Sequence, residues 1–214
     1  MITLTSLEQD ALAEAFNVAL GAASATFAEV VNTEVLMSVP AVELLTRDQL
    51  AERLHGLPDN AVSRRLVSIA QAFASGQQSV NTDAVLLFPQ QASLEVVRRM
   101  LGEQAAEVQD ITELEQDALG EIGNIIINSC MASLADMFGI HFQGSLPKVE
   151  SSEIDTLVSQ LHPGNATLLA QISMTLRASN VTGMVMFLMN VPSLEKLVLH
   201  MRQYFGLDAA TPAD

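Results

Sequence analysis

Two long stretches of the chain, residues 6–31 and 113–138, contain no proline and are rich in Ala, Leu, Glu and Ile. Such residues favour helix, and each stretch is long enough for about seven turns. Each stretch follows a threonine that stands three residues before a glutamate. Because the threonine can cap a helix while the glutamate bonds back, helices are predicted to begin after Thr5 and after Thr112.

Shorter patterns follow each long helix. The extended runs 33–39 and 140–146 lead into Pro40 and Pro147, where proline would terminate a strand or mark the edge of a sheet. Turn-like polar segments then separate further apolar runs of strand length. The predicted short helices and hairpin strands lie at residues 47–55, 65–73, 84–88, 154–161, 167–176 and 183–189. Ser93 and Ser193 are the predicted N-caps of a last helix in each half.

The chain repeats itself at an offset of 107 residues. Residues 7–14 return as residues 114–121 with a single mismatch, and Asn17 returns as Asn124 at the same offset. The polar residues keep their spacing while the apolar residues between them change. The repeat therefore indicates a duplicated polar site more strongly than a duplicated packing pattern.

This order of elements predicts an α+β fold. Two halves would share a largely antiparallel sheet about a pseudo-twofold axis, with the two long motif-bearing helices on one face. The prediction is one domain over 1–214, with repeat one at about 4–106, repeat two at about 107–207 and a frayed tail at 208–214. One half alone would leave its sheet edge and its apolar face exposed.

Composition narrows the functional class. The chain is 49% hydrophobic and 16% charged, which excludes a disordered chain, and its net charge of −15 comes from 25 acidic against 10 basic residues. A nucleic acid backbone or an anionic membrane would be repelled, so neither is a predicted partner.

Targeting and metal signals are missing from the sequence pattern. The start lacks a signal-peptide pattern, Cys130 is the single cysteine, and apolar stretches such as 183–189 reach only strand length, so a cytoplasmic protein without a membrane segment is expected. The four histidines show no metal-ligand spacing, and neither a metal site nor a cofactor of its own is predicted. Cys130 is expected to pack in the core.

On a helix, positions 10, 14 and 17 lie along one stripe, and positions 117, 121 and 124 repeat it. The apolar neighbours are predicted to supply the buried faces, which leaves the polar stripe in solvent. These neighbours are Leu7, Ala11, Val18, Leu114, Ala118 and Ile125. An Asn amide suits orienting a water molecule, and a Glu offers a charge to a partner's Lys or Arg. Asn is a poor choice for mid-helix stability, so its appearance twice favours a functional role.

The full spacing resembles the signature of the CheC, CheX and FliY phosphatases of bacterial chemotaxis. That signature is Asp or Ser, three residues, Glu, two residues, Asn, twenty-two residues and Pro. Both copies fit it: Asp10, Glu14, Asn17 and Pro40 in the first, and Asp117, Glu121, Asn124 and Pro147 in the second. Two copies in one compact chain are similar to CheC, whereas CheX carries one copy and pairs as a dimer.

The resemblance implies a hydrolase that removes the aspartyl phosphate of a CheY-type response regulator. Asn17 or Asn124 would hold the attacking water in line, while Glu14 or Glu121 would pair with a lysine of the regulator. The magnesium ion would belong to the regulator. The remaining signature residues would be auxiliary, namely Asp10, Pro40, Asp117 and Pro147. The bulky Phe16, where the second copy has glycine, lowers the expectation of activity at the first site.

Two other functional hypotheses remain open at this point. The same surfaces could bind phosphorylated regulator without hydrolysing it, or bind the CheD receptor deamidase, which would make the chain an adaptor. Alternatively, the acidic helices could simply contact a basic partner, which predicts an affinity that collapses with salt and ignores the neutral asparagines.

Overall fold

A computed structural model describes residues 3–31, 34–56, 65–76, 79–101, 112–160, 166–176, 179–189 and 191–207 of the chain. The predicted junction between repeats near residue 106 and the predicted tail at 208–214 lie outside these residues. The helices are α1 (Ser6–Val31), α2 (Arg47–His55), α3 (Gln90–Leu101), α4 (Glu113–Phe138), α5 (Ile154–Gln160) and α6 (Val191–Phe205). The strands are β1 (Val35–Leu45), β2 (Arg65–Ala74), β3 (Asn81–Pro89), β4 (Gln143–Gly144), β5 (Lys148–Glu153), β6 (Ala166–Leu176) and β7 (Ser179–Met189).

The seven strands found in the described residues form one sheet, and all the pairings among them are antiparallel. The strand order is β1-β6-β7-β3-β2, and β2 then pairs with both β4 and β5 on its other side. The predicted mixed fold with an antiparallel sheet is therefore confirmed.

Two apolar cores lie on the two faces of this sheet. The larger contains buried residues of α1, α4, α3 and α6, and α1 and α4 also pack against each other. The smaller core lies between the sheet and α2 with α5, through residues such as Leu50, Leu54 and Leu157. The long helices are thus fixed by burial along one side, which leaves their other side for polar residues.

The helix starts follow the sequence signals. Thr112 accepts a hydrogen bond from the Glu115 backbone N–H while the Glu115 carboxylate accepts from the Thr112 backbone N–H, and Thr5 and Glu8 repeat this exchange. Helices α1, α2 and α4 occupy the predicted residues. Such reciprocal caps satisfy donors that a helix N-terminus otherwise leaves unpaired.

The predictions around the prolines and serines are partly wrong. Pro40 does not end β1 but lies within it, and β1 is an edge strand, which is the other of the two predicted possibilities. The register shifts between Ser38 and Ala41, which accommodates a residue without an N–H. In the second half only the two-residue β4 precedes Pro147, and β5 follows it. Ser93 and Ser193 lie inside their helices, not at the caps, and both are buried.

The glycines of the two long helices have different surroundings. A Cβ added at Gly123 would lie 2.3 Å from Cγ2 of Ile69 in β2, so this glycine lets α4 approach the sheet. Gly120 also faces the sheet, through Val149, and nothing lies near a Cβ at Gly21.

By length and composition alone, α1 and α4 could each cross a membrane, contrary to the expectation that apolar stretches reach only strand length. About half of each apolar window, 44% and 50%, is buried inside the protein. A long core helix meets the same criterion, and the shared core of α1 and α4 supports that explanation here.

Candidate functional site

The signature side chains lie on the outer side of α1 and α4. Asp10 and Glu14 on α1 are exposed, as are their counterparts Asp117 and Glu121 on α4. Asn124 is exposed as well, whereas Asn17 is only partly so. Glu14 and Glu121 have no ion-pair or hydrogen-bond partner among the described residues.

The expected burial of the apolar neighbours is partly wrong. Leu7 and Leu114 are each 58% exposed and Val18 is 56% exposed, whereas Ala11 and Ala118 are buried. Leu7 and Leu114 precede the aspartates by three residues, so each polar stripe begins with an exposed leucine. The surface therefore combines acidic and apolar groups.

Asn17 is bonded to the backbone of β1. The Val39 backbone N–H donates to Asn17 Oδ1 at 2.7 Å, and Asn17 Nδ2 donates to the Val39 carbonyl at 3.4 Å. Val39 is 3% exposed and lies where the β1–β6 register shifts, so the carboxamide satisfies backbone groups that lie outside the ladder. Both ends of the Asn17 amide are therefore in use.

This contact gives a physical reason for the spacing between asparagine and proline in the first copy. The residue that Asn17 holds, Val39, directly precedes Pro40, which has no N–H to offer. Pro40 thus belongs to the backbone irregularity that Asn17 stabilises. The side chain of Pro40 lies outside the described part of the protein.

Asn124 has a different set of partners. Its Oδ1 accepts from Asn128 Nδ2 at 2.7 Å and from Gln71 Nε2 at 3.3 Å. Its Nδ2 has no hydrogen-bond partner among the described residues. Since a carbonyl oxygen has two lone pairs, the acceptor side is filled and the donor side is free.

The segment beside Asn124 is also more open than its counterpart beside Asn17. Leu146 is 88% exposed, whereas Val39, the residue before the other proline, is buried. Ser145 ties this segment to β2, because its backbone N–H donates to Ala72 and its carbonyl accepts from Gln71. Pro147, partly exposed, follows as the last residue before β5.

Phe16 does not obstruct the first site as expected from its bulk. Its side chain is 1% exposed and stacks on Phe187 with ring centroids 5.2 Å apart. Its counterpart is Gly123, which lies against Ile69 instead. Phe16 and Gly123 therefore pack their helices on the sheet in different ways, and neither residue adds a side chain to its polar stripe.

Two further sequence expectations concern other chemistry. Cys130 is buried in the larger core, where burial raises its pKa to about 12, so the thiol stays protonated and packs as expected. Within the described ranges, no group of three or more His, Cys, Asp or Glu side chains could hold a metal ion.

Sequence reasoning missed Gln71, Asn128 and Ser145, which surround Asn124. Asn128 follows Asn124 by four residues and so extends the same stripe, a signal that could have found it. Gln71 stands in a mostly apolar strand, where a buried polar side chain is uncommon and indicates a specific role. Nothing in the sequence pairs Gln71 with α4.

The amino-acid sequence is similar to a known protein family and to a named bacterial protein. A model of the CheC-like family matches residues 114–151, which include Asp117, Glu121, Asn124 and Pro147. The protein named CheY-P phosphatase CheC of Bacillus subtilis is 24% identical over 155 residues, which cover 72% of this chain and 70% of that protein.

Solved structures share the fold. Thermotoga maritima FliY matches with a TM-score of 0.76 and 21% identity, over 96% of this chain and 99% of that chain. The middle domain of Helicobacter pylori FliM matches with a TM-score of 0.66 and 13% identity, over 92% and 99%. A complex of CheX, CheY, BeF3 and Mg²⁺ from Borrelia burgdorferi matches with a TM-score of 0.51 and 17% identity, over 83% and 96%. The resemblance to the CheC, CheX and FliY family, first carried by the two signatures, is thereby confirmed.

Proposed function

We propose that this protein is a phosphatase for the aspartyl phosphate of a CheY-type response regulator in chemotaxis. The observation that carries the proposal is the Nδ2 of Asn124, which has no hydrogen-bond partner among the described residues and lies one turn from the Glu121 carboxylate, which has none among them either. Further support comes from the relative named a CheY-P phosphatase and from the CheX structure that contains CheY.

The proposed step is hydrolysis of an acyl phosphate. Water attacks phosphorus, the bond from phosphorus to the aspartyl oxygen breaks, and the carboxylate leaves with the electron pair while the water protons remain on phosphate. Asn124 would enter the regulator's pocket and orient the water, and Glu121 would pair with a regulator lysine. Such positioning is the main requirement of phosphoryl transfer. A magnesium ion on the regulator would neutralise phosphoryl charge.

The exposed apolar residues support a protein as the substrate. Leu114 begins the stripe on α4 and Leu146 lies on the segment next to Asn124. Apolar side chains with an acidic rim suit a partner that combines an apolar patch with lysine. Asp117, between Leu114 and Glu121 on the stripe, would add charge to this docking surface.

We further propose that the two copies are a duplicated unit with unequal sites. The strand order supports duplication, since exchanging β1, β2 and β3 for β5, β6 and β7 reproduces the order from the other end. Turning the Asn17 amide towards a partner would break its hydrogen bond from the Val39 N–H and leave that buried donor unpaired, which costs about 1–3 kcal/mol. Asn124 and Glu121 would therefore do most of the work, with Asn17 and Glu14 as the weaker site.

The direct test is the decay of phosphorylated regulator with a substoichiometric amount of this protein. Acceleration with many turnovers per chain is expected, and Asn17→Ala combined with Asn124→Ala should abolish it. An unchanged lifetime together with binding of the phosphorylated regulator would replace the phosphatase by an adaptor. Binding that is lost at high salt and does not depend on either asparagine would indicate only a charged contact surface.

A further inference from the structure

Gln71 is a buried polar residue that has one unpaired hydrogen-bonding atom. It is 2% exposed, and its Oε1 is buried without a hydrogen-bond partner among the described residues. An apolar side chain of the same shape would avoid the cost of that unpaired acceptor. The other end of the amide is fully used, because Nε2 donates to the Ser145 carbonyl at 3.0 Å and to Asn124 Oδ1 at 3.3 Å.

Two backbone carbonyls determine which way the Asn124 amide points. The Ser145 carbonyl can only accept, so the Gln71 atom that contacts it is the amino group. The Asn124 carbonyl likewise accepts from Asn128 Nδ2 at 2.8 Å. Both amino groups also contact the same atom of the Asn124 side chain, which must therefore be the acceptor Oδ1.

We infer that Gln71 and Asn128 are positioning residues that hold Asn124 with its amino group outward. This inference rests on the proposed phosphatase function, and it assigns the outward donor, Nδ2, as the group that meets the phosphorylated pocket. A donor there can bond to the attacking water or to a phosphoryl oxygen. A freely rotating amide would instead present its oxygen part of the time, and phosphoryl oxygens repel it.

The test uses the full chain in an Asn17→Ala background, so that the site on α4 alone reports. Gln71→Met removes both donors and the unpaired acceptor at nearly constant volume. We expect kcat for regulator dephosphorylation to fall about tenfold while KM changes by less than about twofold, because the docking surface is intact but the amide is no longer oriented. The melting temperature should change little, because losing the unpaired acceptor offsets losing the hydrogen bond to the Ser145 carbonyl, and this separates positioning from folding.

Gln171→Met is the matched control. Gln171 lies on β6 and accepts from Arg53 of α2, on the side of the sheet that faces the smaller core. The substitution Gln171→Met should leave kcat unchanged. An equal loss in both variants, an unchanged kcat in Gln71→Met, or a loss confined to KM would each overturn the inference.

A second readout does not depend on turnover. In NMR spectra of the chain with Asn17 intact, Gln71→Met should shift the side-chain amide resonance of Asn124 and leave that of Asn17 unchanged. If the Asn17→Ala parent fails to accelerate regulator decay, the proposed function is wrong, and the NMR comparison still decides whether Gln71 holds the amide. An unshifted Asn124 resonance would contradict that hold.

Discussion

Asn17 and Asn124 occupy the same place in two copies of one motif, yet they bond to different kinds of partner. Asn17 holds the backbone of Val39, with both ends of its amide engaged. Within the part of the chain that the structure describes, Asn124 is held by side chains through its oxygen, and its amino group has no partner. The difference teaches that the same residue can serve the fold in one copy and remain available to a partner in the other.

The sheet beneath the helices accounts for much of the difference. Two residues after Pro147, Val149 pairs with Ile69, and two residues after Pro40, Val42 pairs with Ala170. Counting two further along each partner strand gives Gln71 in one case and Ile172 in the other. Ile172 is buried and has no polar group to offer Asn17.

The largest expected effect concerns activity. Asn124→Ala should lower the rate of regulator dephosphorylation about 100-fold, the usual cost of removing one well-placed donor to a reacting group. Asn17→Ala should lower it by less than about twofold, because that amide is already engaged. The measurement is the decay rate of phosphorylated regulator with each variant at equal concentration. Equal losses of rate in the two variants would contradict the proposed difference between the two sites.

The two substitutions should rank in the opposite order in their effect on stability. Asn17→Ala leaves the buried Val39 N–H without a partner and should lower the free energy of unfolding by about 1–3 kcal/mol. Asn124→Ala removes an exposed side chain and should change it by less than about 0.5 kcal/mol. Urea unfolding of both variants provides the comparison. A larger loss from Asn124→Ala would contradict the assigned structural role of Asn17.

Gly123→Ala sharpens the contrast with the first helix. The added methyl would lie 2.3 Å from Ile69, so we expect a loss of about 1–3 kcal/mol from overpacking and weaker contact of Gln71 with Asn124. Gly21→Ala, in α1, is the matched control. No atom lies within 4 Å of a Cβ there, and the better helix propensity of alanine should raise stability by up to about 1 kcal/mol.

The smallest expected effect is a pH-dependent link between the first helix and the last. Burial raises the pKa of Glu8, but the Thr5 backbone N–H and Arg202 outweigh it and hold the pKa below its usual 4.5. The ionised carboxylate therefore adds stability above pH 4.5, and this stability is lost as the pH falls through the lowered pKa. Arg202→Ala should cost about 1 kcal/mol at pH 7 and progressively less in acid, as measured by urea unfolding across pH. A cost that does not vary with pH would indicate packing instead.

Local sequence signals predicted much of the fold. The capping pairs, the proline-free stretches and the alternation of polar and apolar runs identified α1, α2 and α4 and the four hairpin strands. Strand β5 was missed because Pro147 was read as a strand end, although an edge strand can begin directly after a proline. The exposure of Leu7 and Leu114 was missed because periodicity cannot tell which of two adjacent faces a sheet will cover.

Only the part of the candidate site that lies on a single helix was predicted from the sequence. The stripe of Asp117, Glu121 and Asn124 follows from spacing along α4. The partners that distinguish the copies, Gln71 and Val39, come from other elements, and their proximity depends on strand register. The inequality of the two asparagines is therefore a tertiary property.

The most direct test of this inequality is an NMR titration of the protein with a CheY-type regulator activated by beryllofluoride, which mimics an acyl phosphate. The side-chain amide resonances of Asn17 and Asn124 are followed as regulator is added. We predict that the Asn124 amide shifts first and is saturated near one regulator per chain, while the Asn17 amide is unchanged up to that point. A response of Asn17 before Asn124, or of neither, would contradict the account.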